Sequence, residues 1–228
     1  MKYKILLFDL DDTLLDFAAN EADSLNKLFC SNGIALNNEI LQLYHNINKQ
    51  LWTDYENGII SLAEVLNTRF SKTLAKLGTT IDGRAWEAQY REHLGNGHQQ
   101  IEGALEVCKA LSKSHRLFVV TNGVTVTQIK RLQLAGLHDL FEGIFTSECI
   151  GYQKPLKGFF DFVFEHIPDF NCEDTLIIGD SLSTDIKGGI LAGIDTCWFN
   201  KKAQPEAATI KSKYIISDLK ELYTICEV

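Results

Sequence analysis

Residues 4–17 read "KILLFDLDDTLLDF", and the rest of the chain is read outward from this stretch. Ile5 to Phe8 form a short apolar run of the kind that makes a buried strand. The run leads directly into Asp9, Asp11 and Asp12, with Asp16 close behind. Like charges crowded at the end of a buried strand repel one another and resist desolvation. Such a cluster is either an acidic turn or one half of a site for a cation and a phosphate.

Four further short apolar runs read as strands: "RLFVVT" near 116–121, "GIFTS" near 143–147, "TLIIGD" near 175–180 and "IDTCWF" near 194–199. A weaker one, "KYIIS", lies near 213–217. Each is rich in β-branched or aromatic residues, as buried parallel strands usually are. Helical patterns separate them: residues 125–135 up to Gly136, 157–166 after the Lys154-Pro155 step, and 183–192 up to Gly193. Strands alternating with helices imply right-handed crossovers, so the fold class is α/β, a doubly wound parallel sheet.

Residues 17–98 break that rhythm. Phe17, Ala18, Ala22, Leu25, Leu28 and Phe29 recur at helical spacing before Gly33, and a second pattern runs from Ile40 through Tyr55 to Gly58. Ser61 with Glu64 predicts the capped start of a third helix ending at Gly78, and a fourth covers Arg84 to Leu94. "GNG" at 95–97 reads as a hinge. The expected organisation is therefore a core of residues 1–16 and 99–228, with an all-helical unit of four or five helices inserted at 17–98.

The bulk properties limit the function classes. The chain has 228 residues, of which 45% are hydrophobic, and only three prolines interrupt it. No apolar run approaches the roughly 20 residues of a membrane span. The start has no secretory pattern, since acids stand where an apolar region would continue, so a cytoplasmic address is expected. Cys30, Cys108, Cys149, Cys172, Cys197 and Cys226 are scattered without a C-x-x-C pair, which argues against zinc or a disulfide framework and reads most of them as small core residues. A net charge of −8 speaks against a partner that is a nucleic acid polymer. It also requires that any phosphate substrate be attracted by a local positive site.

In open α/β sheets, ligands gather beyond the carboxyl ends of the strands. There this sequence has Asp9-x-Asp11-x-Thr13 after the first strand and Thr121-Asn122-Gly123 after the next. Gly151-Tyr152-Gln153-Lys154-Pro155 follows the third strand, and Gly179-Asp180, with Asp185 five residues on, follows the fourth. Each piece alone has a bland reading: an acidic turn, an Asn-Gly turn, a solvated lysine, an acid in a helix's first turn. Together, in this order and each at a strand end, they point to a site.

These four pieces resemble the signature motifs of the haloacid dehalogenase superfamily, in its phosphatase branch. The inserted helices resemble that superfamily's helical cap, and the core its Rossmann-like domain. "LWTDYENGIISLAEVLNTRF" at 51–70 and "TNGVTVTQIKRLQLAGLHDLFEGIFTSECIGYQKP" at 121–155 are similar to the bacterial pyrimidine 5′-nucleotidase subgroup.

The resemblance implies a Mg²⁺-dependent phosphomonoesterase. Asp9 would be the nucleophile that forms an aspartyl-phosphate, and Asp11 the general acid and then the base for water. Mg²⁺ would be held by the side chains of Asp9 and Asp180 and the backbone carbonyl of Asp11, with Asp185 acting through water or Lys154. The Thr121 hydroxyl and the Asn122 backbone N–H would grip the phosphoryl group, and Lys154 would balance its charge.

Gly188 and Gly189 read as close-packing residues, while Asp12 and Asp16 read as structural. The cap would set substrate choice, with Trp52, Tyr55, Arg69, Trp86, Tyr90 and Arg91 as candidate contacts; for each, ordinary packing or solvation is the competing explanation. The expected substrate is a small phosphorylated metabolite, foremost a nucleoside 5′-monophosphate. A sugar phosphate or phosphoglycolate is the alternative.

Three rivals are weaker. A haloalkanoate dehalogenase would use Asp9 against carbon and has no need of the Asp11, Asp180 and Asp185 set. Phosphosugar mutases typically carry Gly-Val where this chain has Asp12-Thr13. A signalling receiver domain would place a lone Asp at the end of a later strand, and it lacks the helical insertion.

Overall fold

The computed structural model describes residues 2–205 and 209–228. Residues 1 and 206–208 of the expected core lie outside the described residues. The chain forms two compact units, one of Met1–Phe17 with His98–Val228 and one of Ala18–Gly97.

The larger unit is built on strands β1 (Ile5–Phe8), β2 (Arg116–Thr121), β3 (Gly143–Thr146), β4 (Thr175–Gly179), β5 (Asp195–Phe199) and β6 (Tyr214–Ile216). They form one sheet in the order β3-β2-β1-β4-β5-β6, with every pairing parallel. The apolar runs lack alternation because both faces are covered. Leu6 and Phe8 of β1 enter one core with Val119, Ile178 and Cys197, while Ile5 and Leu7 enter the other with Phe118, Val120 and Ile177. From β1 the chain builds β2 and β3 to one side and β4 to β6 to the other. The carboxyl end of β1 is thus the switch point where an open sheet leaves a crevice.

Helices α1 (Phe17–Ser31), α2 (Asn38–Glu56), α3 (Leu62–Ala75) and α4 (Gly83–Asn96) make up the insertion. Ser61 caps α3, its hydroxyl accepting from the Glu64 N–H at 3.2 Å. The expected hinge stretch 95–97 forms the end of α4 and of the smaller unit: Gly95 and Asn96 are helical and the Gly97 N–H closes on the Leu94 carbonyl. A Cβ at Gly97 would lie 1.7 Å from Asn20 Oδ1, so glycine here serves close packing. Asn20 uses that proximity to donate to the Leu94 carbonyl at 2.9 Å.

The sheet is covered by α5 (Ala104–Leu111), α6 (Thr125–Leu134), α7 (Ser147–Ile150), α8 (Lys157–His166), α9 (Lys187–Ala192) and α10 (Leu222–Cys226). The single helix expected over 183–192 is divided into a π-helical turn, Leu182–Ile186, followed by α9. Gly188 and Gly189 seat α9 against its neighbours. A Cβ on the first would meet Phe160 at 2.6 Å and one on the second Ile177 at 2.6 Å. The six cysteines are free; Cys108, Cys197 and Cys226 are buried, whereas Cys30 and Cys149 are exposed rather than core residues. Among the described residues, no helix is long and apolar enough to cross a membrane.

Candidate active site

The ladder between β1 and β4 continues one residue past β1, because the Asp9 N–H donates to the Ile178 carbonyl at 2.9 Å. This fixes Asp9, which is almost fully buried, at the mouth of the switch point. The chain then turns tightly: the Leu14 and Leu15 N–H groups both return to the Leu10 carbonyl, and Asp12 donates to the Leu15 carbonyl. Asp12 takes a positive φ of 57°, which Asp tolerates better than most residues. Its part in this turn is structural, although its charge also reaches Asp180.

Each Asp9 oxygen has its own partner. Oδ1 accepts from Lys154 Nζ at 2.8 Å, and Oδ2 accepts from the Thr13 hydroxyl at 3.2 Å. That hydroxyl in turn accepts from the Asp180 N–H at 3.1 Å, tying the first acidic turn to the end of β4. The Trp198 indole N–H holds the Asp180 carbonyl from β5 at 2.8 Å.

Lys154 is fully buried, and its ammonium donates to Asp9, to Asp185 Oδ1 at 2.5 Å and to the Val120 carbonyl at 2.7 Å. Burial alone would lower its pKa, but Asp185 and Asp9 outweigh that and hold it above the ordinary value. Asn122 sets the backbone of this lysine: its amide donates to the Lys154 carbonyl at 3.0 Å and accepts from the Lys154 N–H at 2.8 Å. The sequence suggested a role only for the Asn122 main chain.

Asp185 sits on the π-helical turn, a form of helix often found at functional sites. Its Oδ1 takes Lys154 and its Oδ2 accepts the Ser181 N–H at 3.1 Å. Gly179 makes room for it, since a Cβ there would lie 2.3 Å from the Asp185 carboxyl carbon.

Asp9, Asp180 and Asp185 each present a carboxylate oxygen within 4.8 Å of the others. Burial pushes the Asp9 carboxyl up to about 7; Lys154 opposes this, and the charges of Asp185 and Asp11 reinforce it. Asp180 is pushed up to about 9, first by burial and then by Asp9, Asp185 and Asp12. This resistance to ionisation is what a hard divalent cation would relieve, and an all-oxygen donor set suits one. With Asp11 and Asp12, five carboxylates gather here around two buried cations, Lys154 and Arg131.

Sequence reasoning placed Thr13 in the first motif without giving it a role, and it missed two residues, Gln128 and Arg131. Gln128 Nε2 donates to Asp11 Oδ2 at 2.7 Å and to Thr121 Oγ1 at 3.1 Å. Arg131 Nη1 donates to Asp11 Oδ1 and, at 2.9 Å, to Gln128 Oε1. The readable signal was their i, i+3 spacing on a helix that starts just after Thr-Asn-Gly.

The six candidate substrate contacts lie in the helical unit. Tyr90 is fully buried, and Trp86, Tyr55 and Arg69 nearly so, while Trp52 is half-buried. Arg69 forms a two-point ion pair with Glu87, both bonds at 2.7 Å, and lies over the Tyr90 ring. Trp86 packs edge-on against Phe29, and Tyr55 packs with Leu51 and Val65. In place of the expected substrate contact, Arg69, Trp86 and Tyr90 form the interior of this unit, because its helices need a core of their own. Arg91, the sixth side chain considered, lies 3.2 Å from Glu87.

The sequence profile of the haloacid dehalogenase-like hydrolases matches residues 3–193. The chain belongs to this family. The crystal structure of the HAD-hydrolase YfnB from Bacillus subtilis, bound to magnesium, is 48% identical with a TM-score of 0.94, covering 100% of both chains. Pyrimidine 5′-nucleotidase PynA of Streptococcus pneumoniae is 41% identical over 88% of this chain and 85% of its own. Pyrimidine 5′-nucleotidase YjjG of Escherichia coli is 31% identical over 97% of each. The protein is therefore a haloacid dehalogenase-like hydrolase with a parallel α/β core and a helical cap.

Proposed function

We propose that this hydrolase is a Mg²⁺-dependent phosphomonoesterase that acts through an aspartyl-phosphate on Asp9, with nucleoside 5′-monophosphates as its substrates. The observation that carries the reading is the buried Asp9 carboxylate, held between Lys154 and Thr13 within reach of Asp180. A nucleophile fixed in one geometry avoids the entropic cost of finding it during the reaction.

Asp9 attacks phosphorus as the bond to the ester oxygen breaks, and Asp11 hands its proton to the departing alkoxide. In the second half, Asp11 takes a proton from the water that attacks the same phosphorus, and Asp9 leaves as a carboxylate. Thr121 Oγ1 already accepts from the Gly123 N–H at 3.0 Å and from Gln128. With both lone pairs engaged, its hydroxyl directs its one proton toward a phosphoryl oxygen. Lys154 favours the ionised, nucleophilic form of Asp9 against the effect of burial and offsets charge on the phosphoryl group.

The residues that would hold Mg²⁺ are Asp9 and Asp180 by their side chains and Asp11 by its carbonyl, with Asp185 anchoring Lys154 behind them. When bound, the ion supplies positive charge that lets a dianionic phosphate approach five carboxylates. The magnesium in the YfnB structure supports this choice of metal. The nucleotidase relatives PynA and YjjG support the substrate class.

The test is a phosphate-release screen with Mg²⁺ across nucleotides, sugar phosphates and phosphoglycolate. Nucleoside 5′-monophosphates are expected to give the highest kcat/KM. Sugar phosphates or phosphoglycolate leading by orders of magnitude would overturn the nucleotidase reading, and no release from any phosphomonoester would overturn the phosphatase reading.

A further inference from the structure

We infer that Arg131 and Gln128 are positioning residues that fix the Asp11 carboxylate for proton transfer; this rests on the reading of Asp11 as the acid and base of a phosphomonoesterase. Asp11 stands on a tight turn and is itself partly exposed, so its own surroundings restrict it little. Its two partners are different. The side chain of Arg131 is 1% exposed, against 29% for that of Asp11. Burying a guanidinium is costly, and Arg131 Nη1 directs its bonds to Asp11 and to Gln128.

The three side chains form a closed arrangement. Arg131 holds one Asp11 oxygen, Gln128 holds the other, and Arg131 fixes the Gln128 amide so that its NH₂ faces Asp11 and Thr121. Gln128 and Arg131 share one face of α6 through i, i+3 spacing. The path of Gln128 is itself built in: a Cβ on Gly123 would lie 2.1 Å from Gln128 Nε2, so only glycine lets the amide cross there. The Phe17 ring lies 5.7 Å from the Arg131 guanidinium.

Each Asp11 oxygen accepts one bond from this cradle and keeps a second lone pair. That lone pair carries the proton given to the ester oxygen as the P–O bond breaks, and later takes the proton of the attacking water. A carboxylate misplaced by 1 Å loses about 100-fold in such a step. Gln128 also orients the Thr121 hydroxyl, so its loss reaches the phosphoryl grip as well; without Arg131, Gln128 keeps its own bonds to Asp11 and Thr121, so the loss falls mainly on Asp11.

The test compares kcat/KM on two substrates that differ in leaving group. One is a primary-alcohol phosphate turned over by the wild type, whose alkoxide needs a proton. The other is dinitrophenyl phosphate, whose phenolate leaves without one. Arg131→Met is expected to lower kcat/KM on the alkyl phosphate by about 10- to 100-fold and on dinitrophenyl phosphate by no more than about threefold. Arg131→Lys should recover part of the loss, and Gln128→Met should lower both substrates.

An equal loss on both substrates, or on neither, for folded Arg131→Met would overturn the inference. If that variant does not fold, Arg131→Lys decides by the same comparison, with a selective alkyl loss expected. Phosphate release by the wild type that disappears in Asp9→Asn shows that the functional reading stands while the inference fails. A wild type silent on every phosphomonoester removes both.

Discussion

Lys154 Nζ lies 2.5 Å from Asp185 Oδ1, both side chains buried, and this pair holds the lysine in place beside Asp9. Removing one partner of a buried ion pair leaves an uncompensated charge, at a cost of about 3–5 kcal/mol. Because Lys154 keeps its ion pair with Asp9, Asp185→Ala is expected to lower the unfolding free energy by only part of that amount in urea titrations. It should also lower kcat more than it raises KM, because Lys154 loses its anchor and Asp9 its orientation. A variant as stable as the wild type would contradict this account of the pair.

Asn122 acts on the same lysine through its backbone. Asn122→Ala removes two hydrogen bonds to Lys154, each worth about 1 kcal/mol. The expected result is a loss of about 2 kcal/mol with a fall in kcat of at least about tenfold. Asn122→Asp should be nearly as harmful, since it keeps the acceptor for the Lys154 N–H but presents a charge to the Lys154 carbonyl.

The strands were legible because a parallel sheet buried on both faces writes itself as continuous apolar runs. The acidic residues were legible because carboxylates at strand ends have few structural reasons to be there. Gln128 and Arg131 were not, since a polar residue on a helix ordinarily faces water and only the assembled fold brings α6 beside Asp11. For Arg69, Trp86 and Tyr90 the difficulty was the reverse: an aromatic or an arginine on a cap helix suits a ligand or an interior equally well until burial is known. Helix α5 went unread although Ala104, Val107, Cys108 and Leu111 carry its period, all four buried.

Two glycines separate effects on the site from effects on packing. At Gly179 a Cβ would collide with Asp185, and at Gly189 with Ile177 and Thr196 at 2.6 and 2.7 Å. Both alanine variants are expected to lose about 1–3 kcal/mol through overpacking. Gly179→Ala should also weaken Mg²⁺ binding and lower kcat, whereas Gly189→Ala should leave both close to wild type in the folded fraction. Isothermal titration and urea unfolding distinguish the two.

The raised carboxyls set a pH dependence. A carboxyl whose folded pKa lies above its unfolded value binds its proton more tightly in the folded chain. Its stabilising contribution is complete below the unfolded value and is lost as pH rises through the folded one. For Asp9 the window runs from 3.8 to about 7, and for Asp180 from 3.8 to about 9. In chelator, Tm should therefore fall as pH rises through this range, apart from other titrating groups. Mg²⁺ should raise Tm more at pH 8 than at pH 5, because the ion must displace these protons. A Mg²⁺ effect that shrinks with rising pH would contradict the arrangement.

In the helical unit, Arg69→Met is expected to cost up to about 3–5 kcal/mol, since buried Glu87 loses its two-point partner and keeps only Arg91. Arg69→Met combined with Glu87→Leu should recover most of that, as an apolar pair of similar volume often does. A single substitution that alters substrate preference with stability unchanged would return Arg69 to the list of substrate contacts.

The most direct test of the central claim is chemical trapping of the covalent intermediate. The enzyme is mixed with Mg²⁺ and a nucleoside 5′-monophosphate carrying a radiolabelled phosphate, quenched in acid during turnover, and digested for peptide mapping. The account predicts a label on the peptide that contains Asp9, absent in Asp9→Asn and reduced by chelator. Phosphate released at full rate with no covalent label, or with the label on another residue, would contradict it.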